Sequence, residues 1–228
     1  MTVAAVILAA SPASALADAD GTPGVRRVAD TAWAGGATPV LVCSFDPDGA
    51  VAAALANAEV TLVDPVDPAR GPVGQIVNGI QAAVALVADT DAALVWPARM
   101  TWVDAETVTT LIAAYGEDRY SVARPAYGGA TGWPVLLPVR HLASLAALSP
   151  NRMPGDLFAD LEAAGIPFRT VETGDPGVAY DATTARDELP PFDGPPEPAG
   201  DTHEWGAGLA DEPDDAPVTG RGRLTSPR

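Results

Sequence analysis

The sequence contains no lysine, so all 13 of its basic side chains are arginines. No ammonium side chain is therefore available as a catalytic base or as a phosphate ligand. Acidic residues outnumber basic ones, and the formal net charge is -17. A chain of this charge repels phosphate backbones, so we expect no nucleic acid as a partner.

Long hydrophobic runs and cysteine pairs are also missing. No apolar run approaches the roughly 20 residues that cross a bilayer, so we expect no membrane partner. The single cysteine, Cys43, rules out an internal disulfide of the kind that small secreted domains use. It lies in the apolar run 39–43, which favours a small buried core residue over a reactive thiol. These absences together predict a cytoplasmic protein.

The C-terminal segment lacks any regular spacing of apolar residues. Residues 188–228 contain eight prolines, six glycines and nine acidic side chains. Such a composition offers too little apolar surface to offset the entropy lost when a chain is ordered. We therefore predict a folded domain at 1–187 and a disordered acidic tail at 188–228.

Within 1–187, short apolar runs alternate with longer amphipathic runs. In the first half, strands are predicted at 3–8, 39–43, 60–63 and 92–95, and helices at 25–34, 46–58, 73–88 and 104–114. In the second half, strands are predicted at 121–125, 134–138 and 168–171, and a helix at 157–164. The alternation predicts an α/β fold, a three-layer sandwich with a mostly parallel, doubly wound sheet. Ligands of such sheets bind beyond the carboxyl ends of the strands.

Four stretches of the domain resemble, in order, the motifs of one known family. The first is Leu8-Ala9-Ala10 after the first predicted strand, with Ser11 where a glycine is expected. The second, at 71–80, resembles a glycine-rich entry to a helix. The third, at 102–108, resembles the segment that follows a metal-binding loop. The fourth combines 125–137, which resembles a hairpin, with 175–181, which resembles a closing motif. The domain thus resembles the MobA-like nucleotidyltransferases, which include the enzymes that attach GMP or CMP to molybdenum cofactor. The resemblance implies a nucleotidyltransferase fold of the GT-A-like type.

The resemblance also implies a set of site residues. The candidate nucleotide-binding residues are Leu8, Ala9, Ala10, Ser11, Gly74, Asn78 and Arg99. The candidate acceptor-side residues are Gly129, Trp133 and Pro134. Asp181 is the candidate metal ligand, and Mg²⁺ is the cofactor that an active member would use.

The departures from the family pattern concern charge. The loop 11–21 carries no arginine or lysine and two acids, Asp18 and Asp20. Arg99 stands where the family has its metal-binding aspartate, and an arginine cannot ligate Mg²⁺. Trp133 replaces a histidine, and Thr183 replaces the second aspartate of the closing motif.

These departures lead to two principal functional hypotheses. The first is a degenerate family member, a pseudoenzyme that acts as a binding or regulatory module for a nucleotide, another anionic small molecule or a protein. The second is an active transferase that passes NMP from an NTP to a molybdenum cofactor-like or sugar-phosphate acceptor, with its carboxylates supplied by Asp18, Asp20 or Asp181. A purely structural partner of molybdoenzyme maturation is a third hypothesis. For a protein-binding module, we consider a contact surface formed by Arg99, Trp96, Trp102 and Trp133, and core packing is the alternative role of the tryptophans.

The first residues allow two interpretations. Ala15-Leu16-Ala17 has the small-residue spacing of a signal-peptide cleavage site, but Met1-Thr2-Val3 carries no basic residue. Removal of residues 1–17 would also delete the first strand of the predicted sheet. We therefore expect this segment to remain on the protein as a central strand.

Overall fold

A computed structural model of the chain describes residues 1–9 and 11–195. The strands in these residues are β1 (Thr2–Ala9), β2 (Asp18–Ala19), β3 (Thr22–Pro23), β4 (Val40–Ser44), β5 (Thr61–Val63), β6 (Thr90–Pro97), β7 (Val122–Tyr127), β8 (Ala130–Thr131), β9 (Val135–Pro138) and β10 (Phe168–Glu172). The α-helices are α1 (Pro12–Ala15), α2 (Gly24–Ala34), α3 (Ala50–Ala54), α4 (Gly71–Leu86), α5 (Ala105–Glu117), α6 (Leu142–Ala146) and α7 (Pro154–Ala163). Short 3-10 turns lie at Pro68–Arg70, Val139–His141, Pro176–Val178 and Arg186–Glu188.

The main sheet has the strand order β10-β7-β9-β6-β1-β4-β5, with β8 beside β7. β1 is an interior strand of this sheet and pairs in parallel with β4 and with β6, so that Ala5 is opposite both Val40 and Leu94. β9 runs antiparallel to β6 and β7, and the small hairpin of β2 and β3 lies outside this sheet. The prediction of a mostly parallel α/β sheet is therefore confirmed, with 3–8 inside its central strand.

Both faces of the sheet are covered by helices. Successive side chains of β1 point to opposite faces, so each face contributes apolar side chains to the core beneath its own helices. Val3, Ala5 and Ile7 belong to a core that also contains residues of α2 and α5. Ala4 and Val6 belong to a second core with residues of α4, α6 and α7. These two cores make the three layers. Within residues 1–9 and 11–195, no helix combines the length and the apolar composition needed to cross a membrane.

Helix α4 approaches the sheet closely at Gly79. A Cβ at this position would overlap Cγ1 of Val6 and lie 2.9 Å from Sγ of Cys43. The absence of a side chain at Gly79 therefore sets the distance between α4 and the ends of β1 and β4.

The predicted helix 46–58 is wrong in extent. Asp46 does cap a helix, since its carboxylate accepts the N–H groups of Val51 and Ala52 at 3.0 and 2.8 Å. The helix itself is only Ala50–Ala54, because Gly49 has a φ of 70° and is left-handed. The helical backbone therefore cannot begin before Ala50.

The segment 11–23 is also more ordered than the predicted loop. Ser11 and Ser14 form a capping box around the short helix α1, and the hairpin of β2 and β3 follows it. The cap at Asp104 agrees with the prediction, because its carboxylate accepts the N–H of Glu106 at 2.9 Å. The helix that it begins, α5, extends to Glu117 and so is longer than predicted.

Candidate ligand-binding site

A cavity of about 1150 Å³ lies at the carboxyl ends of β1, β4 and β6. Its walls come from those strand ends, from the segments that follow them, and from the first turns of α1, α4 and α7. The lining residues are Leu8, Ala9, Ser11, Ser14, Cys43, Phe45, Pro65, Val66, Asp67, Pro72, Gln75, Pro97, Ala98, Arg99, Trp133, Met153, Pro154 and Gly155. This edge is where open α/β sheets bind their ligands.

The two serines of the cavity wall are bonded to each other. The N–H of Ser14 donates to Oγ of Ser11 at 3.2 Å, and the N–H of Ser11 donates to Oγ of Ser14 at 3.3 Å. The Ser11 hydroxyl also donates to Oγ of Ser14, and the Ser14 hydroxyl donates to the carbonyl of Ser11. The loop that would hold phosphates in the predicted site thus uses its hydroxyls for its own helix cap.

The polar groups on the opposite wall are also engaged. The side-chain amide of Gln75 donates to the carbonyl of Val66 at 3.2 Å and accepts its N–H at 3.4 Å. The thiol of Cys43 lies 4.0 Å from the carbonyl of Gln75. Burial raises the pKa of Cys43 to about 12, so the thiol is protonated at neutral pH. The interpretation of Cys43 as a buried core residue is therefore confirmed.

The guanidinium of Arg99 is the charged group of the cavity wall that has no hydrogen-bonded partner among the described residues. Its Nε lies 3.7 Å from Oδ2 of Asp181, and its side chain is 65% exposed. Oδ1 of Asp181 accepts the hydroxyl of Thr183 at 2.6 Å and its N–H at 3.0 Å. Burial opposes ionisation of Asp181, but the bonds from Thr183 and the charge of Arg99 outweigh it and lower the pKa of this carboxyl. Both oxygens of Asp181 therefore face positive or hydrogen-bonding groups of the chain itself.

The segment that carries Asp181 is held in place by Trp102. The indole Nε1 donates to the carbonyls of Asp181 and Thr184 at 3.1 and 3.0 Å. The guanidinium carbons of Arg27 and Arg186 lie 5.1 and 5.7 Å from the centre of a Trp102 ring. Trp102 thus fixes the backbone that positions the partner of Arg99.

A buried carboxylate, Asp175, fixes the start of the same closing segment. It is 2% exposed and accepts hydrogen bonds from Thr107 Oγ1 at 2.7 Å and from the N–H groups of Asp104 and Gly177, each at 2.8 Å. Burial raises the pKa of Asp175, although these three bonds oppose the rise. The sequence motif around Asp175 drew attention to the segment, but nothing in it indicated this link to the start of α5.

The structure brings together only part of the candidate site. Leu8, Ala9, Ser11, Arg99 and Trp133 line the cavity, and Ala10 lies outside the described residues. The other candidates are not among the lining residues, and they are Gly74, Asn78, Gly129, Pro134 and Asp181. All of these nucleotide, acceptor and metal roles stay predictions.

Each of the candidates outside the cavity wall has a local structural setting. A Cβ at Gly74 would overlap that of Arg70, and Nδ2 of Asn78 donates to the carbonyl of Asp64 at 3.1 Å. Gly129 has a φ of 82° and lies in the exposed turn before β8, and Pro134 is buried before β9. Gly74 and Asn78 thus support α4 and its preceding loop.

The three candidate tryptophans, Trp96, Trp102 and Trp133, do not form an exposed surface. Trp96 is fully buried and its Nε1 donates to the carbonyl of Met100 at 2.9 Å. Trp102 is buried as well, and Trp133 is half-buried with its ring edge-to-face against Phe158 at 5.7 Å. The suggested protein-binding role of Trp96 and Trp102 is therefore wrong, because both side chains are packed inside the domain.

The described residues do not gather several metal ligands in one place. Among residues 1–9 and 11–195, no group of three or more His, Cys, Asp or Glu side chains is arranged to hold one. Asp181 is paired with Arg99, and Oδ2 of Asp18 accepts the N–H of Gly21 in the β2–β3 hairpin. Mg²⁺ is usually bound by one or two carboxylates together with substrate phosphates, and within the described residues the charged group that lies beside the Asp181 carboxylate is the guanidinium of Arg99.

Comparison with models of protein families matches residues 5–164 to the MobA-like NTP transferase domain, over more than half of the chain. The chain belongs to this family. The resemblance inferred from the four sequence stretches is thereby confirmed. Comparison with curated proteins gives no significant match.

Several solved structures share the fold, and nucleotidyltransferases are among them. A 4-diphosphocytidyl-2C-methyl-D-erythritol synthase matches with a TM-score of 0.63 and 17% identity, over 82% of this chain and 95% of that one. A nucleotidyl transferase from Methanothermobacter matches with a TM-score of 0.59 and 18% identity, over 75% and 87%. The manganese complex of Rv0371c from Mycobacterium tuberculosis gives 0.58 and 18%, over 75% and 88%. At these identities, the likeness is one of fold.

Proposed function

We propose that this chain is a MobA-like domain that binds a nucleotide or another anionic small molecule and has lost efficient nucleotidyl transfer. It would act as a binding or regulatory module, in the cytoplasm. The observation that carries the proposal is the ion pair between Arg99 and Asp181 at the edge of the cavity. In the alignment of sequence motifs proposed above, Arg99 stands at the position expected for the family's metal-binding aspartate.

Electrostatics supports this proposal. Nucleotidyl transfer concentrates negative charge in its transition state, so an active site supplies a divalent ion or several basic groups. In the described part of the chain, the cavity wall includes one basic side chain, Arg99, and one acidic side chain, Asp67. A nucleoside triphosphate brings about four negative charges, and a single arginine offsets only a small part of them.

The second candidate is an active transferase with a molybdenum cofactor-like or sugar-phosphate acceptor. Family membership favours it, as does the manganese complex of the similar Rv0371c structure. In this case Mg²⁺ or Mn²⁺ would have to bind through Asp181 and carboxylates that are not gathered beside it in the described residues.

Calorimetric titration with GTP, CTP and ATP, with and without Mg²⁺ or Mn²⁺, tests the proposal. We expect the metal not to strengthen the binding of any nucleotide, and we expect no enzyme-dependent release of pyrophosphate in the presence of an acceptor. Pyrophosphate release that is lost in Asp181→Ala would overturn the proposal in favour of the active transferase. Failure of every nucleotide, of inorganic phosphate and of aromatic monoanions to bind would favour a protein ligand for the module.

A substitution at Arg99 sharpens the test. Arg99→Asp places a second carboxylate beside Asp181, and we expect it to gain Mn²⁺ binding that the matched Arg99→Ala variant lacks. Equal Mn²⁺ binding by the wild type and both variants would show that position 99 does not control metal binding.

A further inference from the structure

The cavity is lined mainly by apolar side chains, although its family handles highly charged nucleotides. We propose that its ligand is an aromatic small molecule with a single negative charge, and that the charge is bound by Arg99. This inference rests on the proposed function and narrows it to one class of ligand.

The walls favour an aromatic body. They include two aromatic rings, a thioether and several proline rings, and these side chains belong to Phe45, Trp133, Met153, Pro65, Pro72, Pro97 and Pro154. Phe45 and Met153 are 62% and 60% exposed. Exposed apolar groups at a cavity gain from being covered by an apolar ligand, and flat aromatic ligands pack well on aromatic rings and thioethers.

Apart from Arg99, the polar side chains of the walls have few hydrogen-bond donors left for a ligand. Ser11 and Ser14 are bonded to each other, and the amide of Gln75 is bonded to the backbone of Val66. Oδ1 of Asp67 accepts the N–H of Ala69 at 2.8 Å. A ligand rich in hydroxyl or phosphate groups would therefore lose hydration at this surface without gaining equivalent partners.

Arg99 is the side chain of the wall with free hydrogen-bond donors, and its single positive charge favours a ligand with one negative charge. Its guanidinium has five N–H donors, and the ion pair with Asp181 at 3.7 Å engages one edge of it at most. The exposed remainder can bind one carboxylate, sulfonate or phosphate monoester. A second or third negative charge would meet no further basic side chain of the described cavity wall.

The volume agrees with a ligand of this kind. At about 1150 Å³, the cavity is slightly larger than the roughly 300–1,000 Å³ that is common for small-molecule sites. A fused aromatic ring system with a substituent fits in this space, and the anion can reach Arg99 at the end of β6.

The test uses 8-anilinonaphthalene-1-sulfonate, an aromatic monoanion, and its neutral analogue N-phenyl-1-naphthylamine, with full-length protein. Fluorescence titration should give one site that binds the sulfonate more tightly than the neutral analogue. Arg99→Gln should weaken sulfonate binding about tenfold, the equivalent of about 1.4 kcal/mol, and leave the neutral analogue unchanged. Arg119→Gln is the matched control, because Arg119 is exposed and follows α5 at the opposite edge of the sheet.

A second variant tests whether the probes bind in this cavity, and it leaves the charge of the cavity wall unchanged. Gly155 lines the cavity, and a Cβ built there meets no atom within 4 Å. Gly155→Trp should fold and should block both probes, as checked by circular dichroism and by the same titrations. Sulfonate binding that survives both Arg99→Gln and Gly155→Trp would overturn the proposal.

Competition separates this inference from the proposed function. Metal-free GTP should displace the sulfonate only at concentrations far above the dissociation constant of the probe. Displacement by GTP at concentrations near that constant overturns the aromatic-monoanion inference and leaves the binding module standing. Metal-dependent pyrophosphate release overturns the proposed function instead, whatever the probes do.

Discussion

The close contact of α4 with the sheet at Gly79 leads to a prediction about stability. Gly79→Ala adds one methyl group where it would overlap Cγ1 of Val6 and lie 2.9 Å from Sγ of Cys43. Because Val6 is fully buried in the central strand, its side chain has no free space to move into. We expect α4 to be pushed away from β1 and β4, together with the cavity wall at Gln75.

Two opposing effects determine how much Gly79→Ala changes the free energy of unfolding. Replacing glycine by alanine inside a helix stabilises it by up to about 1 kcal/mol. Forcing an extra methyl group into a packed core costs about 1–3 kcal/mol. The net loss should be about 1–2 kcal/mol, which lowers the melting temperature of a domain of this size by about 2–8 °C.

Thermal and urea unfolding of Gly79→Ala measure this loss. Gly155→Ala is the control, since it makes the same change in helix α7 where the new Cβ meets nothing within 4 Å, and it should be neutral or stabilising. Combining Gly79→Ala with Val6→Ala should cost less than the sum of the two single changes, because they share one space. If Gly79→Ala proved as stable as Gly155→Ala, the close packing of α4 on the sheet would be refuted.

Three further predictions concern the site and the chain end. Arg99→Ala should change the free energy of unfolding by no more than about 1 kcal/mol, because an exposed ion pair at 3.7 Å contributes little; urea titration checks this, and a larger loss would assign Arg99 a structural role. Asp175→Asn should cost about 1–3 kcal/mol, because its amide places a donor against a backbone or hydroxyl donor. Burial raises the pKa of Asp175 in the folded protein above its ordinary 3.8, so the contribution of Asp175 to stability is full below pH 3.8 and falls as the pH rises through the folded pKa. The free energy of unfolding of the wild type minus that of Asp175→Asn, measured by urea titration across this pH range, should therefore shrink with rising pH. A free-energy difference that grows with pH would contradict this prediction. Truncation after Pro195 should leave the melting temperature unchanged, whereas truncation after Asp187 should lower it slightly by removing the backbone hydrogen bond that Asp193 donates at 3.2 Å; a large drop after Pro195 would contradict the predicted tail.

The elements that the sequence predicted well are those with a strong burial pattern. β1 is buried along most of its length, and α4 shows apolar residues at Ile76 and Ile80 that both lie in the core. A continuous apolar run, or apolar residues spaced by three and four, predicts a strand or helix whatever the conformation of the loops, because those side chains must be buried in the core. The prediction failed where a single backbone conformation decides, as at Gly49, whose φ of 70° delays α3.

The candidate site was predicted less completely, for a different physical reason. The sequence could place Leu8, Ala9 and Arg99 at the strand ends, because those positions follow from the order of elements. It could not show that Asp181 pairs with Arg99, since 82 positions separate them and no periodic pattern links them. Nor could it show that Trp102 is buried by the segment that carries Asp181.

Under the proposed loss of transfer, the pairing of Arg99 with Asp181 would also account for the absence of basic residues from the loop 11–21. A triphosphate needs a metal and basic loop residues together, because each alone offsets only part of its charge. Once an arginine occupies the place beside Asp181, a metal there would be repelled, and basic loop residues would have no phosphates to bind. The Ser11–Ser14 capping box then uses the loop's hydroxyl groups for its own helix. On this argument the changes at position 99 and in the loop belong to one conversion of the site, so restoring a carboxylate at 99 should recover metal binding without recovering transfer.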